Sequence, residues 1–207
     1  MLKKACDSVT KLLIEAMGKG ELRPGDKLPS AQALAKRGGT SVLSAREAVQ
    51  NLATIGIVEI IHGRGMFLTK GAPVLEELLE TRRVLESYNA LMAAQNSSPK
   101  DLQAIEGLLH EMDGHLKVGD IEAFSEKDVE FHFSLAKASG NRILLKTLRN
   151  IRNLICYQIT TIMRLPNNMQ RSAKRHWEIF GAIRKREPER ARSSMWTHIT
   201  EVMDLWK

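Results

Sequence analysis

Asp128 and His132 sit four residues apart in "DVEFHF", and further along the chain His176 lies in "KRHWEIF" and His198 in "MWTHI". One carboxylate and three imidazoles form a donor set suited to a divalent transition metal. A spacing of four puts the first two about one turn apart on a helix face. The apolar periodicity turns all four inward. Asp128 and His132 share a face with Phe124, Phe131 and Leu135, while His176 lies among Ala173, Ile179, Phe180 and Ile183. His198 lies among Ala191, Met195, Val202 and Leu205. Burial without partners costs about 1 to 3 kcal/mol for each neutral group and several for a charged one, so the four are expected to meet. A divalent cation such as Zn, Ni, Mn, Fe or Co is a suitable shared partner. A single histidine on an apolar face is more often a hydrogen-bonded core residue, and that reading stays open for each one taken alone. His110 and His115, in "HEMDGHLK", read as surface residues.

The elements that must position these groups are helices. From residue 76 to 207 the pattern reads as helices over about Val74–Gln95, Pro99–Gly119, Ile121–Ser139, Asn141–Met163, Met169–Arg186 and Glu189–Lys207. Breaks fall at "NSSPKD", "VGD", "SGN", "LPNN" and "REPE", and the expected result is an antiparallel bundle. On the first of these helices Arg82, Glu86 and Asn89 face inward with Leu75, Leu78, Leu79 and Ala93. Arg82 could grip a ligand carboxylate through paired hydrogen bonds or pair internally with Glu86, four residues on. The region holds no glycine-rich phosphate loop and no nucleophile elbow.

The preceding residues read differently. Val9, Leu12, Leu13, Ala16 and Met17 give helical spacing within Lys3 to Lys19, and "GKGELRPGDKLPS" ends that helix. Ser30 can cap a short second helix. A third runs from Ser41 or Ser44 to Ile55, with Ser44 and Glu47 at capping-box spacing and Gly56 placed to stop it. "IVEIIHGRGMFLTK" then reads as a hairpin. Three helices and a β-wing make a winged helix-turn-helix, whose third helix fits the DNA major groove. Ser41, Ser44 and Arg46 near the start of that helix, Lys36 and Arg37 before the turn, and His62 and Arg64 on the wing are the candidate DNA contacts.

Charge agrees with a polyanionic partner. The 207 residues carry 31 Lys+Arg against 24 Asp+Glu, a net +7; residues 1–70 hold 11 against 6, leaving 20 against 18 for the remainder. No apolar run approaches the roughly 18 residues of a membrane span, and "MLKKACDSVT" turns polar too quickly for a signal peptide, so a cytoplasmic protein is expected. Cys6 and Cys156 lack metal or redox spacing and read as packing thiols.

The stretches "GELRPGDKLPS", "LAKRGGTSVLSAREAVQNLATIGIV" and "HGRGMFLTK", in that order, resemble the GntR family of bacterial transcription regulators. Arg46 matches the family's usual DNA-contacting arginine. Val42 and Gln32 stand where the family often has arginine, which implies an altered base readout. "LLETRRVLESYNALMAA", "DVEFHFSLAKASGN", "KRHWEIFGAI" and "ARSSMWTHI" resemble signatures of the FCD effector domain in the FadR branch of that family. The resemblance implies a metal site at Asp128, His132, His176 and His198, opening on a cavity for small organic acids. It places Arg82 near that cavity, with Glu86 and Asn141 at further recurrent positions. It also implies a homodimer bound to operator DNA.

The expected organisation is therefore mainly α: a winged helix-turn-helix over residues 1–70, a joint over 71–75, and a helical metal- and ligand-binding domain over 76–207. The expected function is a repressor whose operator affinity is modulated by a carboxylate effector at a metal-containing pocket. Two alternatives are a regulator that answers to the metal itself and a metalloenzyme using the Asp/His site.

Overall fold

The computed structural model describes residues 8–10, 12–13, 16–17, 21–54, 56–69 and 73–205. Expectations for Cys6, for the remaining residues of the first helix, for Ile55, for the joint at 70–72, for the side chain of Leu75 and for residues 206–207 lie outside them. The chain divides into two compact units, Met1–Val74 and Leu75–Lys207.

In the first unit, Val9 and Leu13 from the helical stretch near the start are buried with Leu34, Ala45, Ala48, Val49 and Leu52. Helix α1, Ala31–Arg37, begins at Ser30, whose Oγ accepts from the Ala33 N–H at 3.3 Å. Helix α2, Val42–Thr54, follows the turn through Gly39, whose φ of +58° suits a residue without a Cβ. The sequence left Ser41 and Ser44 both open as its start, with the capping-box spacing on Ser44. Ser41 Oγ accepts from the Ser44 N–H at 3.1 Å, so Ser41 is the capping residue and Ser44 lies inside the helix. Gly56, at φ +73°, follows its end. Strands β1, Val58–Ile61, and β2, Gly65–Leu68, pair antiparallel with Val58 opposite Leu68 and Ile61 opposite Gly65. Backbone bonds from Gly25 N–H to Leu68 O, from Leu68 N–H to Asp26 O and from Leu28 N–H to Met66 O, each 2.8 Å, tie the preceding loop to the wing.

The second unit is a helical bundle of α3 (Pro73–Asn96), α4 (Pro99–Val118), α5 (Ile121–Ala138), α6 (Arg142–Asn150), α7 (Arg152–Met163), α8 (Asn168–Arg184) and α9 (Pro188–Asp204). Polar residues mark the starts. Ser98 and Asp101 form a capping box on α4, Asp120 caps α5 through the Ala123 N–H, and Asn141 caps α6. Gly119, left-handed at φ +71°, closes α4. The single helix expected over Asn141–Met163 is two helices, α6 and α7, separated at Ile151. The apolar stripe stays in phase across that break, because Leu148, Ile155, Ile159 and Ile162 are all buried at helical spacing. Periodicity therefore reads through it. Among the described residues, no helix is long and apolar enough to cross a membrane.

Candidate functional site

In the first unit, burial of Ala45, Ala48, Val49 and Leu52 on one side of α2 leaves Val42, Leu43, Arg46, Glu47 and Gln50 on the other, all exposed. Ser41 is exposed just ahead of them, and Lys36 and Arg37 are exposed in the last turn of α1, where positive charge suits the helix end. On the wing, His62 and Arg64 are exposed in the turn between β1 and β2. Ser44 corrects the sequence expectation: it is only 2% exposed, and its hydroxyl lies 2.9 Å from Ser41 Oγ. Committed to the start of the helix, it is no outward contact. The other six candidates are outward-facing, and cations on both a helix and a wing provide what groove and phosphate contacts need.

In the second unit, α5, α8 and α9 bring the inward histidines together. One ring nitrogen from each of His132, His176 and His198 lies within 4.8 Å of the others, and all three residues are buried. His176 Nε2 and His198 Nε2 are 3.3 Å apart. Asp128 flanks the group, with Oδ1 3.3 Å from His132 Nε2 and Oδ2 3.7 Å from His176 Nε2. Phe131 stacks on His176 at a centroid distance of 4.2 Å, and His132 and His198 lie nearly parallel, 16° apart. The rings are fixed by packing as well as by charge.

Two neighbours orient these groups. Ser172 Oγ donates to Asp128 Oδ2 at 2.7 Å. Glu86 Oε2 lies 2.5 Å from His132 Nδ1, which turns Nε2 of that ring toward Asp128. Glu86 in turn accepts from Arg82 Nε at 2.6 Å, and Arg82 Nη1 donates to Gln158 Oε1. Arg82, only 1% exposed, is thus the internal partner of Glu86. Asn141 takes a different part: its Oδ1 caps α6, accepting from the Ile143 and Leu144 N–H groups at 3.0 and 3.1 Å.

Burial alone would raise the Asp128 pKa, but the neighbouring histidines bring it well below the usual carboxylate range. Burial opposes the charge on Glu86 too, and Arg82 and His132 overcome it, again holding the pKa well below normal. His176 is pushed down to about 3, chiefly by burial, with Asp128 opposing and His132 reinforcing the shift. His198 is lowered well below its ordinary value by burial and by His176 and His132. His132 goes the other way, because Glu86 and Asp128 outweigh its burial. Burial thus favours the neutral form of His176 and His198, whose Nε2 atoms face each other at 3.3 Å beside the Asp128 carboxylate. His132 Nε2 is buried without an aligned hydrogen bond. Three buried imidazoles and a carboxylate converging in this way are a donor set that fits a divalent cation.

A small cleft of about 30 Å³, open to solvent, is lined by Ser172 and His198 and also by Arg171, Arg175 and Glu201. Arg175 is held by Glu201 and Glu178, whereas among the described residues Arg171 donates to Asn168 Oδ1 at 3.0 Å. Ser172, Gln158 and Arg171 were not singled out from the sequence. For Ser172 a signal existed, because it lies one turn before His176 on the buried face of α8.

Residues 6–68 match the family described as bacterial regulatory proteins, gntR family, and residues 77–201 match the FCD domain. The chain is similar to the HTH-type transcriptional regulator LutR of Bacillus subtilis (strain 168), with 32% identity covering 90% of this chain and 94% of that protein. It is also similar to the Glc operon transcriptional activator of Escherichia coli (strain K12), with 25% identity covering 95% of this chain and 85% of that protein. Among solved structures, E. coli McbR/YncC shares the fold with a TM-score of 0.74 at 20% identity, covering 98% of this chain and 99% of that one.

Proposed function

The chain belongs to the gntR family of bacterial regulatory proteins and carries an FCD domain, and on that premise we propose that it is a repressor controlled by a small organic acid at a metal-containing pocket. It is a DNA-binding transcription regulator and not an enzyme, so the Asp/His cluster is read as a ligand site rather than a hydrolytic one. The observation that carries the proposal is the convergence of three buried imidazoles beside Asp128, next to a cleft that reaches His198.

Asp128, His132, His176 and His198 would hold the ion, with Glu86 and Ser172 orienting His132 and Asp128. A divalent cation with three neutral ligands and one carboxylate supplies net positive charge for an anionic effector. Arg171 adds a guanidinium to the cleft, and Arg82 a buried one held by Glu86. Asn141 caps α6 just after the end of α5 and enters the effector reading only through its recurrent position in the family. The operator response follows if the acid binds one arrangement of a homodimer more tightly than another, and the shift is limited by that difference in affinity.

The test joins metal analysis of the purified full chain to thermal shifts with small mono- and dicarboxylates and to operator titrations in their presence. His132→Ala and His176→Ala should each lower bound metal and the melting temperature while the first unit stays folded. Unchanged metal content in both variants would refute the ligand assignment. Operator affinity that follows metal concentration and ignores every acid would replace the effector reading with a metal-responsive one.

A further inference from the structure

The outward face of α2 does not begin with a cation or a hydrogen-bonding side chain. Its first two residues are apolar: Val42 is 36% exposed and Leu43 is 68% exposed. Isolated surface aliphatics are ordinary. These two, however, lie directly between exposed Ser41 and exposed Arg46, with Lys36 and Arg37 exposed on α1 nearby in the chain. They therefore sit near exposed cations in the chain, on the helix of a winged helix-turn-helix that enters the major groove. The groups that base pairs present in that groove are hydrogen-bond donors and acceptors with one exception, the 5-methyl group of thymine.

We infer that Val42 and Leu43 read thymine through its 5-methyl group, so that the operator carries thymine where the start of α2 meets the groove. The inference rests on the assignment of α2 as the DNA-reading helix. Selection works in both directions. A methyl group against valine or leucine buries apolar surface on each side. Guanine O6 and N7, adenine N6 and cytosine N4 would instead be dehydrated by the same side chains without a replacement hydrogen bond. Arg46, one turn after Val42, offers the paired donors that suit guanine O6 and N7. The first turns of α2 thus combine apolar readers of thymine with a polar reader of guanine, and disfavour the other bases by dehydration.

The test starts from selection of random DNA duplexes on the full chain. Each thymine of the enriched site is then replaced by deoxyuridine, which removes the methyl group and keeps Watson–Crick pairing. Wild type, Val42→Ala and Leu43→Ala are titrated by fluorescence anisotropy; because both side chains are exposed, circular dichroism should show both variants folded. For wild type, deoxyuridine at the contacted positions should weaken binding about fourfold per methyl, the equivalent of about 0.8 kcal/mol. The same replacement should change affinity by less than roughly 1.5-fold in the variant that lacks the matching side chain. Tolerance of deoxyuridine at every position, a penalty that persists undiminished in both alanine variants, or an enriched site without thymine would each overturn the inference while leaving operator binding intact. Failure to enrich any sequence would overturn sequence-specific binding, and the inference with it.

Discussion

Replacing Arg82 by methionine removes one partner of a buried ion pair and leaves the other. Arg82 Nε stands 2.6 Å from Glu86 Oε1, with the two side chains 1% and 2% exposed. At an effective dielectric of about 20, a unit charge pair at that separation is worth roughly 6 kcal/mol. Part of that is recovered in the variant, because Glu86 keeps His132 Nδ1 at 2.5 Å and can share its charge with a protonated ring. The expected loss is about 3 kcal/mol, at the lower end of the cost of orphaning one member of a buried pair. For a bundle of this size that lowers the melting temperature on the order of 10 °C. Arg82→Met/Glu86→Gln should recover at least half of the loss, since the remaining charge is gone. The assay is urea unfolding of the metal-free full chain followed by tryptophan fluorescence. All 3 tryptophans fall after residue 75, so the signal reports the second unit alone. A single variant within about 1 kcal/mol of wild type, or a double variant no more stable than the single, would refute the account of Arg82 as the charge partner of Glu86.

Arg46→Ala should weaken operator binding by about 1 to 3 kcal/mol with no change in the tryptophan-monitored unfolding of the bundle, and retained affinity would remove Arg46 from the DNA contacts. The metal-free protein should lose stability as pH falls below about 6.5. His176 and His198 have depressed folded-state pKa values, so their contribution is complete above the unfolded-state value and is lost toward the folded-state one, about 3 for His176. His132, with a raised value, contributes in the opposite sense, fully below about 6.5 and lost as pH rises through its folded-state pKa; two groups against one leave a net acid-side loss, and a flat profile between about pH 5 and 6.5 would contradict it. Ser98→Ala removes the acceptor for the Asp101 N–H, 3.1 Å away, and the Asp101 Oδ2 contact with its hydroxyl at 2.6 Å. A destabilisation of about 1 kcal/mol in urea is expected, and no measurable change would show that the capping box of α4 contributes nothing.

The parts of the fold that periodicity encodes were legible. The inward placement of Asp128, His132, His176 and His198 follows from counting 3.6 residues per turn among phenylalanines and leucines, and the structure buries all four. Caps were legible where one polar residue precedes an apolar run, as at Ser30. They were ambiguous where two serines compete: Ser41 and Ser44 both suit a helix start, and only the direction of the hydrogen bond, from the Ser44 N–H to Ser41 Oγ, separates them. The break at Ile151 carries no glycine or proline and does not disturb the apolar stripe, so nothing in the sequence announces it. The partners of the cluster were legible only by type. Glu86 is visibly inward, but whether it serves a ligand, Arg82 or His132 depends on how α3 is rotated against α5, which is a tertiary fact.

Glu86, Asp128, His132, His176 and His198 reach one place from α3, α5, α8 and α9. Only Asp128 and His132 are close in sequence, so the rest meet by closing long loops, whose entropic cost is not offset until the helices dock. This arrangement orders events during synthesis. A growing chain that has released α8 already holds Asp128, His132 and His176, but the third imidazole arrives only with α9. The fourth donor therefore joins only when α9 docks, and a high-affinity ligand for the full set stabilises the bundle with α9 in place more than an intermediate without it.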